Sequence, residues 1–548
     1  MKTKSVEMKI EGMTCDHCAA GIEKMLNADG ILEKHVSYAA GAAHIRFDAE
    51  KISPESIENI ISGSGHYRVT GVVEKSGRNA NGRAKHLVII GGGSAAFSAA
   101  IHASEQGARV TIINDRLPIG GTCVNVGCVP SKNLIRAAEA NFRSKHHPFA
   151  GISSESSVTD FKAVMDQKRS LVAELRQAKY IDVVTPLPDV RIIEGRARLT
   201  SPNTVEVNGE EFSASHILIA SGVAPSIPDV PGLAESGYLT NESLFELDEL
   251  PESLIILGGR YVALESAQMF ARFGSKVTVL QRSERILPTE HPELTNALTG
   301  YLRDEGLEIV TGSRLERVFR EGGEVAVEAH VNGELKTFRA THLLAATGRT
   351  PNTKNMGLEA LGVALDEKGF LKVDAHLQTS VPNIYGAGDV IGSHQFVYTA
   401  AYEGKLAAAN AFGNAPVARD YTALPWVVFT DPQVAGVGLD ERQAREQGID
   451  AETAVLPLEH VPRALAARDT RGFIKLIRDR QSDRLIGARI LAHEGSELLM
   501  EAAMAIKFGI NVADIVSMFH PYLTLSEGIK LAAITFNKEV GALSCCAT

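Results

Sequence analysis

Residues His86-Leu-Val-Ile-Ile-Gly-Gly-Gly-Ser-Ala-Ala96 decide the fold class of this 548-residue chain. An apolar run, three glycines and then small residues are typical of a buried parallel strand that turns into a helix in a doubly wound α/β sheet. The glycines let a pyrophosphate approach the backbone, and the helix N-terminus favours its charge. We predict a dinucleotide site at Gly91, Gly93 and Ala96, with Asp115 at the end of the next strand holding a ribose hydroxyl. A tight glycine turn without a ligand is the alternative for this segment taken alone.

The same pattern occurs again at Leu254-Ile-Ile-Leu257, which is followed by Gly258-Gly-Arg260. Arg260 stands where the fingerprint expects its second glycine, and this weakens the motif considered alone. The next strand is followed by Arg282 and Arg285, and no acidic residue occupies the position that would accept a ribose 2′-hydroxyl pair. Basic residues suit a 2′-phosphate, so we predict an NADPH site that uses Gly258, Arg282 and Arg285. Solvated surface arginines are the alternative interpretation.

A third segment, Gly120-Gly-Thr-Cys123-Val-Asn-Val-Gly-Cys128-Val-Pro-Ser-Lys132, places two cysteines at the start of a predicted helix. This position suits a reducible disulfide and a thiolate of lowered pKa. Two buried apolar cysteines are the alternative, but packing gives no reason for the flanking glycines, proline and lysine to occur together. The segment resembles the redox-active disulfide motif of the flavin-dependent pyridine nucleotide-disulfide oxidoreductases.

The resemblance to this family covers about Lys85 to Ile534 and implies FAD and NADPH as cofactors. Two turns that resemble the family's Ala-Thr-Gly motif end at Gly222 and Gly348, and a second FAD fingerprint ends at Asp389. The FAD-binding residues implied in this way are Gly91, Gly93, Ala96, Asp115, Gly121, Thr122, Lys132, Gly222 and Asp389.

Catalytic roles are also implied by the resemblance. Cys123 would be the interchange thiol, and Cys128 would be the thiol that faces the flavin. Lys132 would pair with Glu265 beside the flavin, and Tyr261 would lie over the isoalloxazine where the nicotinamide enters.

One family motif is incomplete. Most members orient an acid–base histidine with a glutamate five positions further along, whereas His520 is followed at that distance by Leu525. His520 is therefore interpreted as equally compatible with a structural and a catalytic role. Tyr522 occupies the place of the family's threonine.

Residues 1–73 are expected to form a separate module with β-α-β-β-α-β order, which is that of a ferredoxin-like fold. Its segment Gly12-Met-Thr-Cys15-Asp-His-Cys18 resembles the metal-binding loop of heavy-metal-associated domains. A thioredoxin-like interpretation is weaker, because the Trp-Cys-Gly-Pro-Cys pattern is missing. Residues 74–84 are polar and Gly-containing, and we predict a flexible linker there.

The C-terminal tail contains the adjacent Cys545 and Cys546, which suit two thiolates for a soft metal better than core packing. The three thiol pairs together, with Tyr522, resemble the mercuric reductases, a branch of this family. This resemblance implies that NADPH and FAD drive the reduction of Hg(II) to Hg(0). Hg(II) would pass from Cys15 and Cys18 to the tail, and then to the redox-active pair. It also implies a homodimer with active sites shared between subunits, with mercury thiol complexes and a mercury transport or carrier protein as partners.

Two other functions stay open at this stage. One is an ordinary NAD(P)H-dependent disulfide reductase of the dihydrolipoamide or glutathione type, with a fused metal-binding domain. The other is a metal carrier whose flavoprotein fold keeps thiols reduced, although this leaves two nucleotide fingerprints unexplained. The expected domains are 1–73 (metal-binding), 74–84 (linker), 85–246 (FAD-binding, first part), 247–346 (NADPH-binding), 347–422 (FAD-binding, second part) and 423–548 (α+β dimerisation domain with the tail).

Net charge and the distribution of apolar residues argue against two further classes of function. The formal net charge of −10 argues against attraction to nucleic acid or an anionic membrane. The sequence has neither a long apolar run nor a signal-peptide pattern, so we expect a cytoplasmic protein that does not insert into a membrane.

Overall fold

The computed structural model describes residues 3–38, 41–75, 85–413 and 415–542. Its N-terminal module is a four-stranded antiparallel sheet in the order β2-β3-β1-β4, and Ile22, Phe47 and Ile57 lie in its core. The predicted β-α-β-β-α-β order is confirmed. Strand β4 extends two residues into the predicted linker, whose remaining residues 76–84 lie outside the described part. The elements are β1 (Thr3–Glu11), α1 (Asp16–Met25), β2 (Ile31–Ser37), β3 (Ala42–Asp48), α2 (Pro54–Ser62) and β4 (Arg68–Lys75).

The chain forms two compact units. The first contains residues 1–119, 181–222 and 353–418, and the second contains residues 120–180, 223–352 and 419–548. The domain boundaries proposed from the sequence at residues 246, 346 and 422 stay predictions.

The first unit contains a five-stranded parallel sheet in the order β21-β11-β5-β6-β7. All five residues of β5 are buried, as expected for a central parallel strand with both faces covered. From residue 85 to 225 the elements are β5 (His86–Ile90), α3 (Ser94–Glu105), β6 (Arg109–Asn114), α4 (Gly121–Val126), α5 (Cys128–Lys145), α6 (Phe161–Arg176), α7 (Asp182–Val184), β7 (Val190–Glu194), β8 (Arg198–Ser201), β9 (Thr204–Val207), β10 (Glu210–Ser213), β11 (His216–Ile219) and β12 (Val223–Pro225).

The second unit contains a four-stranded parallel sheet in the order β15-β14-β13-β19, so the prediction of two doubly wound sheets is confirmed. Helix α5 packs against helix α9, and this brings the thiol segment next to the helix that follows the Gly258 turn in the same unit. From residue 241 to 412 the elements are α8 (Asn241–Leu244), β13 (Ser253–Leu257), α9 (Tyr261–Phe273), β14 (Lys276–Leu280), α10 (Pro292–Asp304), β15 (Glu308–Val310), β16 (Arg314–Glu321), β17 (Glu324–Val331), β18 (Glu334–Ala340), β19 (His342–Ala345), β20 (Arg349–Pro351), β21 (Ile384–Gly386) and α11 (Val397–Phe412).

The C-terminal part of the second unit has a five-stranded antiparallel sheet in the order β22-β23-β26-β25-β24. Helices pack on it, which confirms the predicted α+β class. The elements are β22 (Trp426–Val428), β23 (Gln433–Gly438), α12 (Glu441–Glu446), β24 (Ala451–Pro457), α13 (Pro462–Ala467), β25 (Phe473–Asp479), β26 (Leu485–Ala492), α14 (Leu499–Phe508), α15 (Val512–Ser517) and α16 (Glu527–Ile534). Within the described ranges, no helix is long and apolar enough to cross a membrane.

Candidate active site

Two cysteines of the second unit lie where two helices meet. Cys123 is in helix α4, and Cys128 is the first residue of helix α5. Gly127 separates the helices, and a Cβ atom at this position would lie 2.9 Å from the carbonyl oxygen of Thr122. The absence of a side chain at Gly127 therefore allows the close turn that places the two sulfurs side by side. Both are free thiols in this structure.

The two thiols differ in acidity. The hydrogen bond between them raises the pKa of Cys123, and burial acts in the same direction. The same hydrogen bond lowers the pKa of Cys128 to about 7, with a further contribution from the positive charge of Lys132. At neutral pH the site therefore combines a thiol at Cys123 with a sulfur at Cys128 that is about half ionised, and the thiolate is the reactive form for attack on metals and disulfides.

An ion pair joins helix α5, which begins at Cys128, to helix α9. Lys132 Nζ donates to Glu265 Oε2 at 2.8 Å, and Glu265 Oε1 accepts from the backbone N–H of Phe429 at 3.0 Å. The Lys132 ammonium also lies 4.5 Å from the centroid of the Phe429 ring. The pairing of Lys132 with Glu265 that the family resemblance implied is present. Its position beside a flavin stays a prediction.

The first unit contains a cradle suited to a dinucleotide. Gly91 has φ +125°, and a Cβ atom there would lie 2.1 Å from the carbonyl oxygen of Ala220. Gly93 is the N-cap of helix α3, so the first backbone N–H groups of this helix face the glycine turn. Ala96 is fully buried, and Asp115 is exposed directly after strand β6. These features fit the diphosphate and ribose of FAD.

The second FAD motif has a similar construction within the first unit. Gly388 has φ +78°, and its N–H donates to the buried carboxylate of Glu403 at 2.7 Å. Asp389 follows at the start of a short 3₁₀ turn, and Gly222 adopts φ +66° after strand β11. Gly121 and Thr122 begin helix α4 in the second unit.

The NADPH motif shows why Arg260 is compatible with the fold. Its backbone is extended, with φ −114°, so a side chain at this position causes no strain before helix α9. Gly258 allows the turn to pass close to the backbone of Ala346, because a Cβ atom at position 258 would lie 2.3 Å from the carbonyl oxygen of Ala346. Arg282 is exposed, and the buried Nε of Arg285 has no hydrogen-bond partner among the described residues. An anionic 2′-phosphate would suit this donor.

The N-terminal metal loop brings its two sulfurs together. Cys15 Sγ and Cys18 Sγ are 3.8 Å apart, and the hydroxyl of Thr14 lies 3.5 Å from Cys18 Sγ. Hydrogen bonds from Thr14 and from the hydroxyl of Tyr67 lower the pKa of Cys18 to about 6. The loop is accessible, because Cys15 is exposed and Cys18 is partly exposed. This arrangement suits capture of a soft metal ion by two thiolates.

The C-terminal segment provides a carboxylate that the sequence motif lacked. His520 Nε2 lies 2.6 Å from Oε1 of Glu501 in helix α14, although position 525 is a leucine. Tyr522 is 57% exposed in the loop before helix α16. Cys545 and Cys546 lie outside the described residues.

A charged cluster in the second unit was not anticipated from the sequence. Glu139, Asp431 and His493 approach one another closely enough to suggest a metal site within the described residues. However, Arg143 binds both carboxylates, and Arg272 also pairs with Asp431. Because guanidinium groups already neutralise the acids, the cluster is a structural ion-pair network and not a cation site. It lines a cavity of about 170 Å³ that reaches Lys132 and Glu265.

Family models match most of the chain. Residues 85–404 match the pyridine nucleotide-disulphide oxidoreductase family, residues 424–533 its dimerisation domain and residues 7–66 the heavy-metal-associated domain. The dimerisation domain supports a homodimer.

Similar proteins span the same length. A protein of Staphylococcus aureus described as mercuric reductase is 40% identical to this chain, and the match covers all of both chains. A mercuric reductase of Acidithiobacillus ferrooxidans is 42% identical, and the match covers 99% of this chain and 98% of the relative. Among solved structures, the HOCl-induced flavoprotein disulfide reductase RclA from Escherichia coli has a TM-score of 0.73 at 31% identity and covers 81% of this chain and 98% of its own. LpdA from Mycobacterium tuberculosis also has a TM-score of 0.73, at 28% identity, and covers 83% of this chain and 100% of its own.

Proposed function

The chain belongs to the pyridine nucleotide-disulphide oxidoreductase family, and from this premise we propose that it is an NADPH-dependent flavoenzyme that reduces Hg(II) to Hg(0). The observation that carries the proposal is the full-length similarity to mercuric reductases, which includes the metal-binding module and the C-terminal tail. An ordinary disulfide reductase with a fused metal-binding domain is not favoured, because the similarity is not confined to the flavoprotein part.

The cofactors are FAD and NADPH. In the first unit, FAD would be held by the glycine turns at Gly91, Gly93 and Gly222, the small Ala96 and the acidic groups Asp115 and Asp389. The family resemblance also assigns Gly121, Thr122 and Lys132 to FAD. NADPH would be held at Gly258, with Arg282 and Arg285 at the 2′-phosphate and Tyr261 at the nicotinamide end. When bound, these cofactors supply two electrons to the dithiol site.

The metal is the substrate, and thiolate exchange moves it. Hg(II) prefers two soft thiolate ligands. Each transfer breaks one sulfur–mercury bond as another forms, and an incoming thiol releases its proton. Cys123 and Cys128 accept the metal as a pair, and Cys128, with its pKa lowered to about 7, supplies one thiolate near neutral pH. Cys123 becomes the second ligand when it loses its proton to solvent or to a departing thiolate.

The three thiol pairs form a relay in this proposal. Cys15 and Cys18 capture the metal from small thiol complexes or from a mercury carrier protein, and Cys545 and Cys546 of the partner subunit pass it to the redox-active pair. The family resemblance assigns Tyr522 to the same site as the tail cysteines. Use of NADPH and the presence of free thiols suit a reducing compartment such as the cytoplasm.

A substrate comparison tests the proposal. Oxidation of NADPH is followed with Hg(II) complexed by excess small thiol, with lipoamide and with oxidised glutathione, and release of Hg(0) vapour is measured in parallel. We expect turnover and vapour with Hg(II) only, and loss of both in a Cys123→Ala and Cys128→Ala double variant that still binds FAD. Efficient turnover of either disulfide without Hg(0) would identify a disulfide reductase instead.

A further inference from the structure

Four side chains of the second unit form a continuous column outside the thiol site. The rings of Tyr261 and Trp426 meet edge to face, with centroids 6.2 Å apart and planes at 77°. The guanidinium of Arg489 lies 5.6 Å from the centroid of the Trp426 ring, and Arg489 Nε pairs with Glu290 Oε2 at 3.0 Å. Each member therefore contacts the next, from Tyr261 at the start of helix α9 to Glu290, two residues before helix α10.

The backbone fixes the indole of Trp426. Strand β22 pairs with strand β23 so that Trp426 lies opposite Gly436. A Cβ atom at position 436 would lie 2.5 Å from the Cε2 and Cζ2 atoms of the indole. The indole therefore occupies space that any side chain at position 436 would take, and the glycine allows it to lie flat across the sheet.

Arg489 is held from several directions. Its Nη1 donates to the carbonyl oxygens of Ala488 at 2.9 Å and Val437 at 3.1 Å, and its Nε donates to Glu290. The side chains of Arg489 and Glu290 are only 5% and 14% exposed. A buried cation with this many partners has little freedom to move, so the face of the indole rests on a rigid support.

The two ends of the column lie next to residues that the proposed function assigns to NADPH. Tyr261 directly follows the Gly258 turn, and Glu290 closes the loop that carries Arg282 and Arg285. Burial raises the pKa of Tyr261 to about 12, so its ring meets Trp426 as a neutral phenol throughout the physiological range. The chain contains one tryptophan, and this residue lies between these two ends.

We propose that Trp426 is a positioning residue that holds the ring of Tyr261 for nicotinamide entry, with Arg489 and Glu290 as its support. The inference rests on the proposed function in one respect, which is the assignment of Tyr261 to the nicotinamide site. Trp426 acts on the NADPH half of the reaction and leaves the thiol exchange of Hg(II) unaffected.

A double-mutant cycle tests this inference in the full-length, FAD-loaded enzyme. Trp426→Ala, Tyr261→Ala and the double variant are compared for the KM of NADPH and for the rate of flavin reduction by NADPH without mercury. An edge-to-face aromatic contact is a modest interaction, so we expect Trp426→Ala to impair one of these parameters about fivefold. In the Tyr261→Ala background the same substitution should add less than about twofold, because its target is gone.

Control variants and a readout that is independent of turnover complete the test. Trp426→Phe should retain most activity, and Phe536→Ala serves as the control because Phe536 also packs under an arginine, Arg478, in the second unit. If Trp426→Ala fails to fold, Trp426→Leu replaces it in the cycle. The sole tryptophan supplies the readout that is independent of turnover, since Tyr261→Ala should expose the indole and increase quenching of its fluorescence by acrylamide.

The outcomes separate the inference from the proposed function. If the effects of Trp426→Ala and Tyr261→Ala multiply, Trp426 does not act through Tyr261 and the inference is wrong. If Tyr261→Ala leaves both NADPH parameters unchanged, Tyr261 does not act at the nicotinamide site. The inference about Trp426 then fails together with that assignment. Unchanged acrylamide quenching in Tyr261→Ala would also overturn the inference, because the two rings would not be in contact in solution.

Discussion

Lys132 Nζ lies 2.8 Å from Glu265 Oε2, and this ion pair connects helix α5 with helix α9. Cys128 begins the first helix and Tyr261 begins the second. The pair therefore ties the helix of Cys128 to the N-terminal half of the helix that follows the Gly258 turn. Two consequences can be measured separately, one on stability and one on the pKa of a thiol.

Removal of the lysine should destabilise the fold. In Lys132→Met the Glu265 carboxylate, whose side chain is 9% exposed, loses its cationic partner. We expect a loss of about 2 kcal/mol, below the full cost of a broken buried pair because Lys132 itself is 35% exposed. The thermal midpoint of the FAD-loaded variant measures this loss. Lys162→Met is the control, since its exposed pair with Asp166 should contribute less than about 0.5 kcal/mol. Equal shifts in the two variants would contradict the prediction.

The acidity of Cys128 should appear as a pH dependence. Its pKa is lowered to about 7, first by the hydrogen bond with Cys123 and also by Lys132. Alkylation of the reduced enzyme by iodoacetamide at Cys128 should therefore fall as the pH drops through about 7, because the thiolate becomes protonated. The Cys123→Ala and Lys132→Met variants should both move this midpoint to higher pH. Peptide mapping by mass spectrometry identifies the alkylated residue, and an unmoved midpoint in both variants would refute the assigned causes.

Much of the fold follows from short-range signals in the sequence. The buried run His86–Ile90 and the glycines after it are one local unit, so the strand, the turn and helix α3 could be predicted together. The order of elements in the N-terminal module could also be predicted from local signals, since helix α2 begins at Pro54 directly after its Ser53 cap. Arg260 shows the limit of such motifs, because its extended backbone needs no glycine even though the fingerprint expects one.

Contacts between distant segments could not be predicted in this way. The sequence shows that Leu525 replaces an expected glutamate, but only the fold shows that Glu501, 19 residues earlier, reaches His520. The same applies to Trp426, whose contact with Tyr261 depends on strand β22 lying against the start of helix α9. A motif of fixed spacing contains no information about partners supplied by another element.

Preference for NADPH should depend on two arginines. Arg282 and Arg285 would hold the 2′-phosphate through charge-assisted hydrogen bonds, each contributing roughly 1.5–3 kcal/mol. Replacing both with alanine should raise the KM for NADPH by about a hundredfold or more and change that for NADH much less. A control with Arg317→Ala and Arg442→Ala removes two exposed arginines that already pair with glutamates. Equal changes for the two nucleotides would reassign Arg282 and Arg285 to the solvated surface.

The N-terminal module should be dispensable for the chemistry and useful for metal capture. Its exposed thiols raise the local concentration of bound metal when free thiols are scarce. Deletion of residues 1–80 should leave the turnover of Hg(II) largely intact in excess small thiol, and should lower it when thiol is limiting. Full-length Cys15→Ser and Cys18→Ser protein should behave like the truncation. Complete loss of activity in a folded, FAD-loaded truncation would contradict a capture role.

The tail cysteines should act in the partner subunit. Cys545 and Cys546 are proposed to serve Cys123 and Cys128 across a homodimer, which the dimerisation domain supports. One variant carries alanine at both tail positions, and the other carries alanine at both redox-active positions. Each homodimer lacks one dithiol and should reduce tightly complexed Hg(II) poorly.

Mixed dimers of these two variants show whether the tail acts on its own chain or on the partner subunit. If the tail acts on the partner, the intact tail of one chain reaches the intact redox-active pair of the other, and one of the two sites per dimer is complete. Activity should then rise to about half of the wild-type value per mixed dimer, because the second site lacks both dithiols. If the tail acts within its own chain, every site of the mixed dimer lacks one dithiol and activity stays low. Tandem affinity tags isolate the mixed species, so failure to recover activity in a verified mixed dimer would exclude action on the partner.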